Sequence, residues 1–349
     1  MSKRPVIIGA VAAGAVAALG AGLVIWSPWA SDEPGAKALE LSGDLDTHDP
    51  ALVVGTEEHD WYVFSTGDIA KAAGSPSIRR STDGLEWEYV GGVWDAQSRP
   101  MWVYEMIPGI EHIWAPDVFE HDGTWYLYYS ASTFGSNLSA IGLMTSPTLD
   151  PDDPDYGWTD EGLVVSSDPA TDNYNAIDPS IVEDADGTPW MAFGSYWGGI
   201  QLIELEWPSG KPVDGAEPTT IASRTAGGTN AIEGASIEHI DGYYYLFVSR
   251  DTCCAGVDST YSIAAGRATE ITGPYVDSWG NTMGYDGGDE ILSTDGTMIG
   301  PGGESYDSGY LAYHYYDEDL AGQFQLAIRE LDWTEDGWPI ARTADELAD

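Results

Sequence analysis

A repeat constrains this chain more than any other feature. Five segments read alike: DWYVFS (60–65), TWYLYYS (124–130), PWMAFGS (189–195), YYYLFVS (243–249) and GYLAYH (309–314). They are rich in β-branched and aromatic residues, and four follow a glycine or an acidic turn, the pattern of short strands. Aligned on their last residues they end at Ser65, Ser130, Ser195, Ser249 and His314, at steps of 65, 65, 54 and 65 residues. A spacing that regular means stacked or radially arranged units. About 65 residues suits a four-stranded sheet with its loops, and five such sheets around an axis make a five-bladed β-propeller. No helical pattern of useful length competes, because 42 glycines and 20 prolines interrupt the chain. The fold class expected is therefore all-β, with any active site in the central channel.

A second pattern rides on the first. The phrases NAIDPSI (175–181) and NAIEGASI (230–237) place Asp178 and Glu233 behind Asn-Ala-Ile and ahead of an apolar run. Asp49 in HDPALVV and Asp117 in APDVFE stand similarly before the strands ending at Ser65 and Ser130. The first strand of a propeller blade lines the channel, so four blades are expected to aim an acid at one axial pocket. The fifth blade reads MIGPGGES there and is expected to offer none. Like charges gathered in a dry cleft raise the pKa of at least one of them. That serves an acid–base catalyst better than a structural protein. Two carboxyls flanking a glycosidic bond, one protonated and one ionised, suffice for hydrolysis.

Charge narrows the partners. With 58 acidic residues against 13 Lys and Arg, the formal net charge is −45. Such a field repels nucleic acid and anionic membranes. The acids are scattered rather than blocked, so they form a solvated surface, which we read as adaptation to high salt. Fifteen tryptophans and 20 tyrosines suit both strand packing and sugar-binding clefts.

The ends and the cysteines bound the rest. MSKR followed by 21 uncharged, mostly apolar residues, Val6 to Trp26, reads as a signal peptide or a membrane anchor within residues 1–30. Residues 31–44 read as a polar linker and 45–349 as the propeller. Either N-terminal reading exports the remainder, to the medium or the cell surface. The only cysteines, Cys253 and Cys254, are adjacent. They form either a vicinal disulfide in a turn or two free thiols.

At this point the motifs resemble a known family. HDP, IWAPDV, YYSASTFGSNLSAIGLMTS, NAIDPSI, FGSYWGGIQLIEL, AIEGASI, CCAGVDSTY and GPYVD, in order from about residue 45 to 340, resemble glycoside hydrolase family 43. Within that family they look most like the endo-α-1,5-L-arabinanases. The resemblance implies a five-bladed propeller and an inverting mechanism on arabinan or its oligosaccharides. Asp49 matches the general base, Asp178 the acid that tunes pKa and orientation, and Glu233 the general acid. On that reading Asp178 stays ionised and Glu233 holds the proton, with base and acid about 6.5–9.5 Å apart. His314 in YHYYD matches the family's histidine at a central metal site, usually calcium with much water. Trp114, Asp117, Asn175, Ser195 and Trp197 match segments that line the family's cleft, and His48 adjoins the expected base.

The chain also departs from the family. IEGAS lacks a common proline, and GPGGES puts Gly303 and Glu304 where His and Asn are often found. These departures bear on subsite preference. The alternative readings are an exo-acting arabinofuranosidase or β-xylosidase on the same fold, and a non-catalytic sugar-binding propeller. The last is expected to lack one of Asp49, Asp178 or Glu233, and this chain has all three.

Overall fold

The computed structural model describes residues 34–348, and five antiparallel sheets surround one channel, as the repeat implied. From the axis outward, blade I runs Ala51–Val53, Trp61–Ser65, Ser77–Ser81 and Glu86–Gly92. Blade II runs Trp114–His121, Thr124–Ala131, Ser139–Ser146 and Thr159–Ser167. Blade III runs Ser180–Glu183, Pro189–Phe193, Ile200–Glu206 and Thr219–Ala222. Blade IV runs Ile232–Ile240, Tyr243–Arg250, Ser262–Ala268 and Asp289–Leu292, and blade V has Met298–Asp307, Tyr310–Asp317 and Gln323–Glu330.

Blade V takes its outermost strand from the other end of the chain. Lys37–Ala38 pairs with Gln323–Glu330, in the register Lys37 opposite Glu330. Five residues later Ser42–Gly43 pairs in parallel with the outer strand of blade I. The segment 34–44, expected as linker, is instead the strap that joins blade V to blade I. Its strands are too short to show a two-residue alternation, which is why the sequence conceals it. The signal or anchor expected at residues 1–30 lies outside the described residues. Among those described, no helix is long and apolar enough to cross a membrane.

The repeated strands are apolar throughout because both of their faces are buried. In blade II, Leu127 and Tyr129 pack toward blade I with Phe64 and Ile78, while Tyr126 and Tyr128 pack toward blade III with Met191 and Phe193. Tyr244 and Leu246 face blade III, while Tyr245 and Phe247 face blade V. Blade V meets blade I through Leu326 and Ile328 against Val63 and Trp87. Each strand thus feeds two cores, and each core belongs to two blades.

The axis shows why the repeat ends on serine. On every inner strand, or just before it, a residue at the axis has a positive φ: Asp49 (51°), Ala115 (28°), Asp178 (58°), Gly234 (59°) and Gly303 (58°). This conformation costs a non-glycine residue about 1–2 kcal/mol. Its backbone N–H points at the preceding blade. The amide of Asp178 donates to Ser130 Oγ (2.8 Å), that of Gly303 to Ser249 Oγ (2.7 Å) and that of Asp49 to His314 Nδ1 (3.1 Å). The amide of Ala115 donates to Thr66 Oγ1 (2.9 Å) and that of Gly234 to Asp178 Oδ2 (3.3 Å).

Three residues further along, a second ring repeats the device. Ile181, Ile237, Tyr306 and Leu52 donate their amides to Asp117, Ser180, Ser236 and Ser305 of the preceding blades, at 2.7, 3.2, 3.2 and 2.9 Å. Blade I carries Ala51 at this position. Asp117 therefore belongs to the register of these serines, two residues beyond that of Asp49 and Asp178. The expectation of four acids on one register is corrected: Asp117 is an acceptor of this second ring, and Glu233 stands one residue before the left-handed Gly234.

This ring is testable by stability. Ser236→Ala leaves the Tyr306 amide without its acceptor and should cost about 1–3 kcal/mol, read as a lowered melting temperature. Burial pushes the Asp117 carboxyl up to about 7, against the amides of Ile181 and Val118, which lower it. A raised folded-state pKa gives stability that is present below the unfolded value and lost as pH rises through 7. Asp117→Asn keeps an acceptor and cannot ionise. Its melting temperature should match or trail the wild type at pH 5 and exceed it at pH 9.

Candidate active site

Asp49 is set at the axis by its left-handed backbone, which asparagine and aspartate tolerate better than most residues. Its Oδ2 receives two hydrogen bonds, from His48 Nδ1 at 2.8 Å and Thr66 Oγ1 at 2.7 Å. Oδ1 is left without a donor and lies 3.6 Å from His314 Nδ1, which is already occupied by the Asp49 amide. Burial opposes ionisation. His48, through its charge and hydrogen bond, and the Thr66 hydroxyl outweigh it and hold Asp49 well below the usual carboxylate range. Oδ1 is thus an ionised oxygen free to accept a proton. No side chain fits beside it: a Cβ on Gly303 would lie 2.4 Å from Oδ1 and 2.7 Å from His314 Nδ1.

Glu233 and Asp178 have the opposite electrostatics. Glu233 stands one residue ahead of Gly234, is 9 % exposed, and accepts from Ser195 Oγ at 2.5 Å and from the Tyr261 hydroxyl. Burial raises its pKa, the two hydroxyls lower it, and Asp49 raises it again, leaving it above the ordinary glutamate value. Asp178 is pushed well above its ordinary value by burial, then by Glu233 and Asp49. Among the described residues, the Gly234 amide at 3.3 Å is its one hydrogen-bond donor. Two buried acids that repel one another retain a proton between them at neutral pH. The donors around the pair are the hydroxyls of Ser195 and Tyr261 on Glu233 and the amide of Gly234 on Asp178.

Blade V does bring an acid to the axis, contrary to expectation. Glu304 follows Gly303, is 5 % exposed, and lines the same cavity as Asp49, Asp178, Gly234 and Tyr261. Its Oε2 accepts from Ser249 Oγ at 2.6 Å, and its buried Oε1 has no partner among the described residues. Burial pushes its pKa up to about 8; the Ser249 bond opposes this and Asp49 and Glu233 add to it. It escaped notice because it lies only 10 residues before His314, one place beyond the left-handed residue.

The remaining expected residues separate. Ser195 is buried against Glu233, so its hydroxyl orients an acid. Asn175 is 3 % exposed, and its Oδ1 accepts from Ser139 at 2.6 Å, supporting the approach to Asp178. Trp114 is half-buried beside His112 and lies outside the lining of the axial cavity. Trp197 is exposed at a left-handed turn whose carbonyl accepts from Asn230 Nδ2. Thr66, Tyr261 and Tyr316 were not anticipated; Tyr261 closes the CCAGVDSTY motif, and Thr66 follows the first aligned serine.

The histidines test whether a cation fits. His48, Asp49 and His314 each offer one ligand atom within 4.8 Å of the others. Calcium prefers oxygen, and both Nδ1 atoms are already bonded. Burial, then His48, holds His314 neutral. Because Nδ1 accepts the Asp49 amide, the ring hydrogen sits on Nε2, a buried atom without a partner among the described residues. A metal-bound water can accept that hydrogen, so the residues present fit a hydrated cation and not a bare one.

Known proteins are similar to this chain in sequence and fold. The model of "Glycosyl hydrolases family 43" matches residues 43–339. An extracellular endo-α-(1→5)-L-arabinanase of Bacillus subtilis is 39% identical over 326 residues, covering 93% of this chain and 95% of that protein. An extracellular exo-α-(1→5)-L-arabinofuranosidase of Cellvibrio japonicus is 38% identical over 309 residues, covering 84% and 86%. Among solved structures, the endo-arabinanase of Bacillus licheniformis superposes with a TM-score of 0.79 at 41% identity, covering 86% of this chain and 99% of that one. The α-L-arabinanase of Cellvibrio cellulosa complexed with arabinohexaose gives 0.80 at 37% identity, covering 87% and 97%. The match takes in all five blades and every axial acid, and the chain belongs to glycoside hydrolase family 43.

Proposed function

We propose that this protein is an inverting endo-arabinanase that hydrolyses internal α-1,5-L-arabinofuranosidic bonds of arabinan. One observation carries the mechanism: Asp49 of blade I is held ionised, while Asp178 of blade III and Glu233 of blade IV, close enough to feel its charge, are both raised. Asp49 Oδ1 takes a proton from water as that water attacks the anomeric carbon. Glu233, one methylene longer than Asp178, passes the pair's proton to the leaving oxygen. Attack and departure on opposite sides of the sugar invert the centre. Asp178 keeps the pair's pKa high by repulsion. Relatives named as endo-arabinanases support cleavage within the polymer.

A hydrated calcium ion at His314 would supply fixed positive charge to the axial carboxylates. Export is supported by relatives named extracellular and by the Cys253–Cys254 disulfide, which suits an oxidising compartment. The acidic surface supports a salt-rich setting.

Linear arabinan, incubated with the protein at several salt concentrations, should yield short oligosaccharides first. Arabinose alone would favour the exo reading, and binding without products the sugar-binding module. Glu233→Gln should lose roughly 10²–10⁴-fold in kcat. The acid must be protonated to work, so its raised pKa sustains activity toward alkaline pH. Asp178→Asn removes the repulsion, lowers the pKa of Glu233, and should move the alkaline limb of kcat/KM to lower pH. Chelation with EDTA should lower both the melting temperature and kcat, and calcium should restore them.

A further inference from the structure

The loop between the second and third strands of blade IV touches both halves of the catalytic centre. It contains the Cys253–Cys254 disulfide and ends at Tyr261. Tyr261 bonds Glu233 directly. At the other end, the Cys254 amide donates to the Tyr316 hydroxyl at 2.7 Å. That hydroxyl lies 2.9 Å from His48 Nε2. His48 Nδ1 lies 2.8 Å from Asp49 Oδ2. A carboxylate can only accept, so Nδ1 carries the hydrogen of this last bond.

Three blades contribute to the series: Cys254 comes from blade IV, Tyr316 from blade V, and His48 from the approach to blade I. The His48 ring is clamped besides, stacked on His314 with centroids 3.7 Å apart and edge-on to Phe324 at 5.2 Å. Its one loose coordinate is rotation within that slot, and the Tyr316 hydroxyl fixes it. The Tyr316 hydroxyl is in turn fixed by an amide on an exposed turn. A bond between neighbouring cysteines ties two side chains into a ring and removes backbone freedom at that amide. Cys254 Sγ lies 4.0 Å from His48 Nε2.

We infer that the Cys253–Cys254 disulfide holds the catalytic base in place through Tyr316 and His48, making Tyr316 and His48 positioning residues for Asp49. The inference rests on the reading of Asp49 as the base. It gives the vicinal disulfide a task that distant cross-linking cannot, since the bond joins adjacent residues and closes no loop.

The chain has only two cysteines, so a reductant has one disulfide to act on. Dithiothreitol passes two electrons and two protons to the bond, which opens to two thiols while the reagent closes to its cyclic disulfide. The experiment measures kcat and KM on arabino-oligosaccharides at saturating calcium. It compares the wild type, the reduced wild type, Tyr316→Phe, C253S/C254S and the triple variant, with Asp49→Asn alongside. Misplacing the base should lower kcat at least about tenfold, part of the roughly 10²–10⁴-fold that a positioned acid or base contributes. KM should stay within about twofold, since ordinary substrate binding is untouched.

The triple variant should be no slower than the slowest of its parents, because all the changes break one series of contacts. Unchanged kcat in Tyr316→Phe or in the reduced enzyme overturns the inference. So do losses that multiply in the triple variant, which mark independent effects. If Asp49→Asn is inactive while Tyr316→Phe is not impaired, the relay fails and the base assignment stands. If Asp49→Asn remains active, the assignment itself fails. Reduction of the folded wild type supplies the answer even where a variant does not fold.

Discussion

The structure depends on the way each blade's axial amide is delivered to its neighbour. A propeller has no single core; five cores lie between blades, and each is satisfied only when its two blades are in register. The left-handed residues at 49, 115, 178, 234 and 303 turn an N–H sideways, and the preceding blade accepts it. A buried amide left without an acceptor costs about 1–3 kcal/mol, so the ring fixes both the number of blades and their height along the axis. The same backbone turn throws a side chain into the channel. Closing the fold and aiming the acids are therefore one geometric act.

Bringing those acids together carries an electrostatic cost, and the site distributes it unevenly. Asp49 meets two donors on one oxygen, and it is ionised. Asp178, Glu233 and Glu304 are all raised, with burial first among the causes. The contrast arises from partners rather than depth. His48 and Thr66 both bond Asp49, while Asp178 has a long amide contact and Glu304 leaves one oxygen unbonded among the described residues. One carboxylate beside several acids that keep protons is the asymmetry that hydrolysis with inversion needs.

Much of this was legible in the sequence because it rests on periodicity. The aromatic strands alternate between two interfaces, so they recur as near-continuous apolar runs. Of their terminal serines, Ser130 and Ser249 accept an axial amide, Ser195 orients an acid, and Ser65 accepts from Arg79. Four things were hidden. Lys37–Ala38 and Ser42–Gly43 are too short to carry a pattern, though they close the ring. Asp117 looked like an axial acid because a two-residue offset cannot be told from a variable loop by counting. Glu304 looked absent for the same reason. The donors that hold Glu233 are the hydroxyls of Ser195 and Tyr261, 38 and 28 positions away in the chain. Spacing within a strand says nothing about those.

The exceptions in the ring of acceptors say most about how function was fitted to the fold. Ser130 and Ser249 accept the next blade's amide, the plain structural solution. Ser195 does not: its hydroxyl is turned to Glu233, and the amide of Gly234 goes to Asp178 instead. That exchange ties the two members of the acid pair into one backbone contact, so neither can shift without the other. In blade V the acceptor is His314, whose second nitrogen is then free to face a hydrated cation. In blade I it is Thr66, one residue beyond the aligned serine, and its own hydrogen goes to Asp49. Each substitution of the serine keeps the amide satisfied and gains a chemical contact at the axis. Local departures from a structural rule that leave the rule's purpose intact are expected at functional sites. Here they fall on the residues that surround Asp49, Asp178 and Glu233.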